Sequence, residues 1–158
     1  MKYVETMVVF REVPDEVTLA INISNCPVKC PGCHSSYLAQ DIGEELDKES
    51  LAMLVKMNPG ISCVSFMGGD AEPAKVGQLA MEVKKIDPSL KTCWYSGRDL
   101  EHAKPNLEVL DFVKVGPYIE EMGPLDSPTT NQRFYKIEHR PQGVELTDMT
   151  GWFRKKIF

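Results

Sequence analysis

Apolar and polar positions alternate strictly between residues 17 and 23: Val17, Leu19, Ile21 and Ile23 against Thr18, Ala20 and Asn22. A period of two predicts a strand with one face in a core. The run Met7-Val8-Val9-Phe10 predicts a strand before it, with Asp15-Glu16 in the turn between them. Further on the period lengthens. Leu51, Leu54 and Val55 recur at helical spacing behind Asp47, a predicted N-cap, and the stripe stops at Asn58-Pro59-Gly60. Residues 61–66 predict a strand that runs into Met67-Gly68-Gly69-Asp70. Val76, Leu79, Ala80, Val83 and Ile86 then follow a 3.6-residue period, with Pro73 in the first turn and Asp87-Pro88 at the end.

Residues 91–97 predict a third strand with a glycine at its tip, and Pro105 breaks the helical stretch 100–110. Phe112-Val113-Lys114-Val115-Gly116-Pro117-Tyr118 predicts a fourth strand entering a loop. Residues 119–130, rich in Pro, Glu, Asp and Thr, predict a long surface loop. Residues 134–139 alternate again, and Gly143 turns that run into Val144-Glu145-Leu146. The C-terminal Trp152-Phe153-Arg154-Lys155-Lys156-Ile157-Phe158 mixes apolar and basic residues, for the core or for a partner. No repeat, low-complexity tract or linker interrupts this order, so residues 1–158 are expected to form one domain.

Strands alternating with helices predict an α/β fold. A complete eight-stranded barrel needs about 250 residues, so 158 residues leave an incomplete barrel or an open sheet. A net charge of −5 argues against non-specific nucleic-acid binding. No apolar run reaches the roughly 18 residues of a membrane span.

The chemistry is concentrated in Cys26-Pro27-Val28-Lys29-Cys30-Pro31-Gly32-Cys33, which leaves the predicted strand 17–23. In α/β folds sites are built at that edge. Clustered thiolates hold zinc or iron–sulfur clusters. A structural zinc site takes four protein ligands, whereas this loop offers three. Cys30-Pro31-Gly32-Cys33-His34 also spells a c-type haem attachment pattern and contains a C-x-x-C redox pair, but neither uses Cys26. Haem attachment also needs export, and Met1-Lys2-Tyr3-Val4-Glu5-Thr6 shows no signal peptide. The five cysteines therefore point to metal chemistry in a reducing cytoplasm, with Cys63 and Cys93 as buried core thiols. His34 reads as a polar loop residue or one that approaches the site; Tyr37, Leu38 and Trp94 read as packing residues. Gly68-Gly69-Asp70 is the second informative stretch. Two glycines let a backbone approach a ligand, and Asp70 can accept a hydrogen bond from an ammonium group. A plain β-to-α turn with Asp70 capping the next helix accounts for the same residues.

The C-x3-C-x2-C loop after an early strand resembles the signature of the radical S-adenosylmethionine (SAM) enzymes. The resemblance implies a [4Fe-4S] cluster on Cys26, Cys30 and Cys33, whose fourth iron is chelated by SAM. One electron then cleaves SAM to methionine and a 5′-deoxyadenosyl radical. Gly68-Gly69-Asp70-Ala71-Glu72-Pro73 resembles the family's Gly-Gly-Glu-Pro motif, so Gly68, Gly69 and either Asp70 or Glu72, with Asp70 preferred, are expected to bind SAM. Tyr95-Ser96-Gly97 resembles a run that lines the SAM pocket, which adds Ser96. The family often carries an aromatic residue just before the third cysteine. Here that residue is Gly32, so an adenine contact is expected from elsewhere.

The short chain, the Gly-Gly-acid turn, Gly116-Pro117-Tyr118 and the late Asn131-Gln132-Arg133 resemble the activases of anaerobic ribonucleotide reductase. The family's aspartate before the late glycine is Val115 here. The implied fold is an incomplete, partial TIM-like barrel of the radical-SAM type. The implied partners are a large glycyl-radical enzyme and a one-electron donor such as flavodoxin or ferredoxin. An activase for another glycyl-radical enzyme, a small-molecule modifier and a non-enzymatic metal-binding module are the alternatives. No side chain is expected to act as general acid or base, because the cofactor carries the hard chemistry.

Overall fold

A computed structural model describes residues 1–33 and 35–154. His34 and the basic-apolar tail 155–158 therefore lie outside the described residues.

Eight strands form one sheet: β1 (Lys2–Val9), β2 (Thr18–Ile23), β3 (Glu44–Glu45), β4 (Cys63–Met67), β5 (Lys91–Tyr95), β6 (Phe112–Val115), β7 (Arg133–Arg140) and β8 (Gly143–Asp148). Their spatial order is β3-β1-β2-β4-β5-β6-β7-β8. Only β2, β4, β5 and β6 run parallel; β1, β3, β7 and β8 are joined by antiparallel pairings. The described helices are α1 (Lys48–Met57), α2 (Pro73–Ile86) and the single turn α3 (Leu100–Ala103), with 3-10 turns at Ser36–Ala39, Lys104–Val109 and Thr150–Arg154.

This architecture overturns the expected partial barrel. The structure is a small, strand-rich mixed sheet with free edges at β3 and β8. A barrel adds a helix after each parallel strand. Here the chain after β6 carries an alternating pattern, and residues 133–148 fold back as an antiparallel hairpin. That hairpin continues the sheet outward and does not close it.

Local chemistry explains the helices. The Asp47 carboxylate accepts from Ser50 N at 2.8 Å while Ser50 Oγ accepts from Asp47 N at 2.9 Å, a reciprocal capping box. Pro73 opens α2, and Val76, Leu79, Ala80 and Val83 are its buried face; Ile86 is left exposed. The larger core lies beneath these helices, where Leu19, Ile21, Val64, Phe66, Trp94 and Val113 meet them. The opposite face carries a smaller cluster of Val13, Cys63, Cys93, Phe112 and Phe134, flanked by Tyr95 and Phe153. Trp94, Cys63 and Cys93 are fully buried and Leu38 nearly so, as the sequence predicts, whereas Tyr37 is exposed. Among the described residues no helix is long and apolar enough to cross a membrane.

Parallel register decides what shares the site. Asn22 pairs with Met67, Met67 with Tyr95, and Tyr95 with Lys114. This transverse row on the helix-free face is the last before four loops, and those loops carry every site residue named from the sequence.

Candidate iron–sulfur site

The first loop leaves β2 and presents Cys26, Cys30 and Cys33, all half-buried free thiols. Its base is held by backbone bonds to the turn that follows: Cys26 N donates to Leu38 O and Asn25 N to Gln40 O, both at 2.9 Å. Cys33 N closes a tight turn on Cys30 O at 3.2 Å. Lys29 (φ 50°) adopts left-handed backbone, which costs an ordinary non-glycine residue about 1–2 kcal/mol, and Asn25 (φ 61°) does so with the side chain that tolerates it best after glycine. The loop therefore takes this shape because its surroundings hold it.

Two glycines admit those surroundings. A Cβ on Gly97, at the tip of β5, would stand 3.0 Å from Val28 Cγ2, so Gly97 lets the cysteine loop lie directly on the strand end. Gly32 has φ +75°, and a Cβ there would stand 3.1 Å from Glu120 Oε2 and 3.5 Å from Tyr118 Cε2. Thus an aromatic ring from the loop after β6 lies beside the position where the sequence has no aromatic of its own.

The three thiols line one cavity of about 180 Å³, together with Lys29, Ser35, Ser36 and Ala39. No group of three or more His, Cys, Asp or Glu among the described residues is arranged to hold a single metal ion. Among the described residues the donor set is soft and all-thiol, and no fourth cysteine joins it, since Cys63 and Cys93 are buried in the core on β4 and β5. Such a set suits an iron–sulfur cluster, whose thiolates bind separate irons, better than mononuclear zinc. The residues present fit the group.

The tip of β4 contributes Gly68-Gly69-Asp70. Trp94 Nε1 donates to Gly68 O at 2.7 Å and Gly68 N donates to Tyr95 O at 3.0 Å, which fixes the turn. Asp70 is 5 % exposed and does not cap α2; that position is Glu72. Instead Asp70 accepts from Ser96 Oγ at 2.5 Å and from Gly97 N at 2.8 Å. His102 Nε2 stands 3.3 Å from Asp70 Oδ1 without hydrogen-bond alignment. Asp70 and Ser96 therefore meet at one place, against the glycine that supports Val28. Gly69 and Glu72 line a different cavity of about 140 Å³ beside Ser24 and Asn25, where Glu72 pairs with the Met1 ammonium at 3.2 Å. The structure thus separates the two acids that the sequence leaves as alternatives.

Two residues escaped the sequence reading. One is His102, whose ring lies 5.7 Å from that of Trp94. The other is Lys114, 8 % exposed, whose ammonium donates to Ser96 O at 3.1 Å and Gly116 O at 2.9 Å. Burial pulls its pKa down to about 8, while the negative charges of Asp70, Cys30, Cys33 and Cys26 act the other way. Its signal was available: a charged residue inside an apolar strand. Asn131 and Gln132 support the same rim. Asn131 Nδ2 donates to Pro117 O at 3.0 Å, and Gln132 is buried behind Gly116.

Comparison with known proteins agrees with this donor set. A family model described as a 4Fe-4S single cluster domain matches residues 16–134, from just before β2 to the start of β7. No curated protein and no solved structure matches the chain.

Proposed function

Since the chain belongs to the 4Fe-4S single cluster domain family, we propose that it is a radical-SAM activase, which reductively cleaves S-adenosylmethionine and generates a glycyl radical on anaerobic ribonucleotide reductase. The observation that carries this reading is a three-thiol cavity, with no fourth cysteine, on a loop that rests against Gly97 after β5 and Tyr118 after β6. Cys26, Cys30 and Cys33 hold the cluster. When bound, the cluster supplies the single electron that the cleavage needs.

The chain's own residues bind and orient. Gly68 and Gly69 let the tip of β4 pack against Ile23 and Val76 and so set the turn that carries Asp70. Asp70 has lone pairs beyond the two hydrogen bonds it already accepts, so it can take one from the SAM ammonium. Ser96 keeps that carboxylate in place. The electron comes from a flavodoxin or ferredoxin, and the substrate is a backbone glycine of the reductase.

The test is strictly anaerobic reconstitution followed by assay of 5′-deoxyadenosine with SAM and dithionite. Cys26→Ala, Cys30→Ala and Cys33→Ala should each lose cluster and cleavage, whereas Cys63→Ala and Cys93→Ala keep both. With the reductase added, electron paramagnetic resonance should detect a glycyl radical, and deuterium on that glycine should reach 5′-deoxyadenosine. A fully loaded cluster that never cleaves SAM makes the protein a cluster-binding module. Label arriving from a small metabolite, and never from the glycine, makes it a modifier.

A further inference from the structure

Lys114 is the unusual expense of this site. Burying an ammonium is costly unless it is paired. Lys114 makes no salt bridge among the described residues; its contacts are two carbonyls and the ring of Tyr95, 5.9 Å away. A mere clamp between strand tips would not need a charge, because backbone or water can satisfy carbonyls. The clamp's location is more telling. Ser96 O and Gly116 O belong to the loops that also carry Gly97 and Tyr118, which lie against Val28 and Gly32 of the cysteine loop. The ammonium is thus tied to both supports of the thiols. The two oppositely charged neighbours differ in their own compensation: Asp70 is bonded by a hydroxyl and an amide, while among the described residues Lys29 is the one cation in the cysteines' cavity lining.

We propose that Lys114 is a positioning residue for the charge of the cluster site, a fixed buried cation that raises the reduction potential of a cluster held by Cys26, Cys30 and Cys33. Reduction transfers one electron from a chemical reductant, such as dithionite, through a soluble mediator to the site. No bond is made or broken, and the site gains one negative charge. A cation held in a poorly solvated place stabilises that added charge more than the same cation at the same distance in bulk water would. Net charge and burial are among the levers that set iron–sulfur potentials. The inference rests on the cluster and not on SAM cleavage.

The experiment is a mediated redox titration of the reconstituted protein, without SAM, followed by electron paramagnetic resonance. Lys114→Met should move the midpoint to more negative potential at equal iron and sulfide per chain. Lys114→Arg, which keeps the charge, should stay near the unsubstituted protein. Should Lys114→Met fail to fold, Lys114→Gln takes its place with the same two readings. An unchanged midpoint in the neutral variant, with the cluster fully loaded, overturns the proposal. So does loss of the cluster from both folded neutral variants, since Lys114 would then serve assembly. A normal shift in a protein that never cleaves SAM sinks the activase reading and leaves this one standing.

Discussion

Asp70 and Ser96 are joined by a 2.5 Å hydrogen bond, hydroxyl to carboxylate, that ties the tip of β4 to the tip of β5. Gly97 N adds a second donor to the same carboxylate. Neutralising a nearly buried acceptor of two donors should cost about 1.5–3 kcal/mol. Asp70→Asn in the cluster-free protein should therefore melt roughly 3–12 °C lower in a thermal scan. Glu72→Gln, at a half-exposed ion pair, should move the midpoint far less. Equal melting temperatures for Asp70→Asn and the parent would mean that the charge of Asp70 contributes nothing to the fold.

The contact between Gly97 and Val28 makes a second prediction. A methyl group on Gly97 would press on Val28 Cγ2 at 3.0 Å and displace the cysteine loop, an overpacking that typically costs 1–3 kcal/mol. Gly97→Ala should lower the iron bound per chain while circular dichroism stays unchanged. Adding Val28→Ala removes the clashing branches and should restore loading. If the double variant is as iron-poor as the single one, the two residues are not coupled as the geometry requires.

Buried thiols supply the third. Burial pushes the Cys93 thiol up to about 12 and the Cys63 thiol well above its usual 9, with the neighbouring Cys93 adding to it. Iodoacetamide at pH 9 should therefore add three groups to the folded apo-protein and five to the unfolded chain, counted by mass spectrometry. The same shifts act on stability. Between pH 9 and 12 the unfolded chain releases thiol protons that the folded chain keeps, so the unfolded state gains and stability falls as pH rises. Lys114 acts oppositely between about pH 8 and 10.5, because its folded value lies below its usual one. Comparing Cys93→Ala with the parent isolates one thiol. The variant should lose about 2 kcal/mol less between pH 9 and 10.5 in urea unfolding.

Segments with a strong period were readable. Asp47 capping α1 and Pro73 opening α2 rest on neighbours in sequence, and both stand in the structure. β2 is a strand as expected, but its alternation misled on burial: Thr18 and Ala20 are buried along with Leu19 and Ile21, because the sheet is covered on both faces there. β1 begins at Lys2, five residues before the expected run, because its first half is only partly buried and mixes polar with apolar residues. β3 is two exposed glutamates held by backbone pairing to β1, which leaves no side-chain pattern to read. Sheet closure was misjudged because strand number and period say nothing about direction: residues 133–148 were legible as strands but not as an antiparallel addition. The cysteine loop was legible because its spacing is covalent. His102 and the approach of Tyr118 to Gly32 were not, because each depends on chain brought together across the sheet; Lys114 showed only as a charge inside an apolar strand, and its carbonyl partners come from two different loops.

The supports of the cysteine loop also set a timetable. Cys26, Cys30 and Cys33 are made early, but Gly97 and Tyr118, on which the loop rests, follow as much as about 85 residues later. At about 5–20 residues per second of synthesis, the thiols wait roughly 4–17 s before the chain can shape them. A nascent chain shorter than β6 thus offers three loose thiols to any passing metal or oxidant. Delivery of iron and sulfide gains nothing from haste here; it has to follow the emergence of the fourth parallel strand.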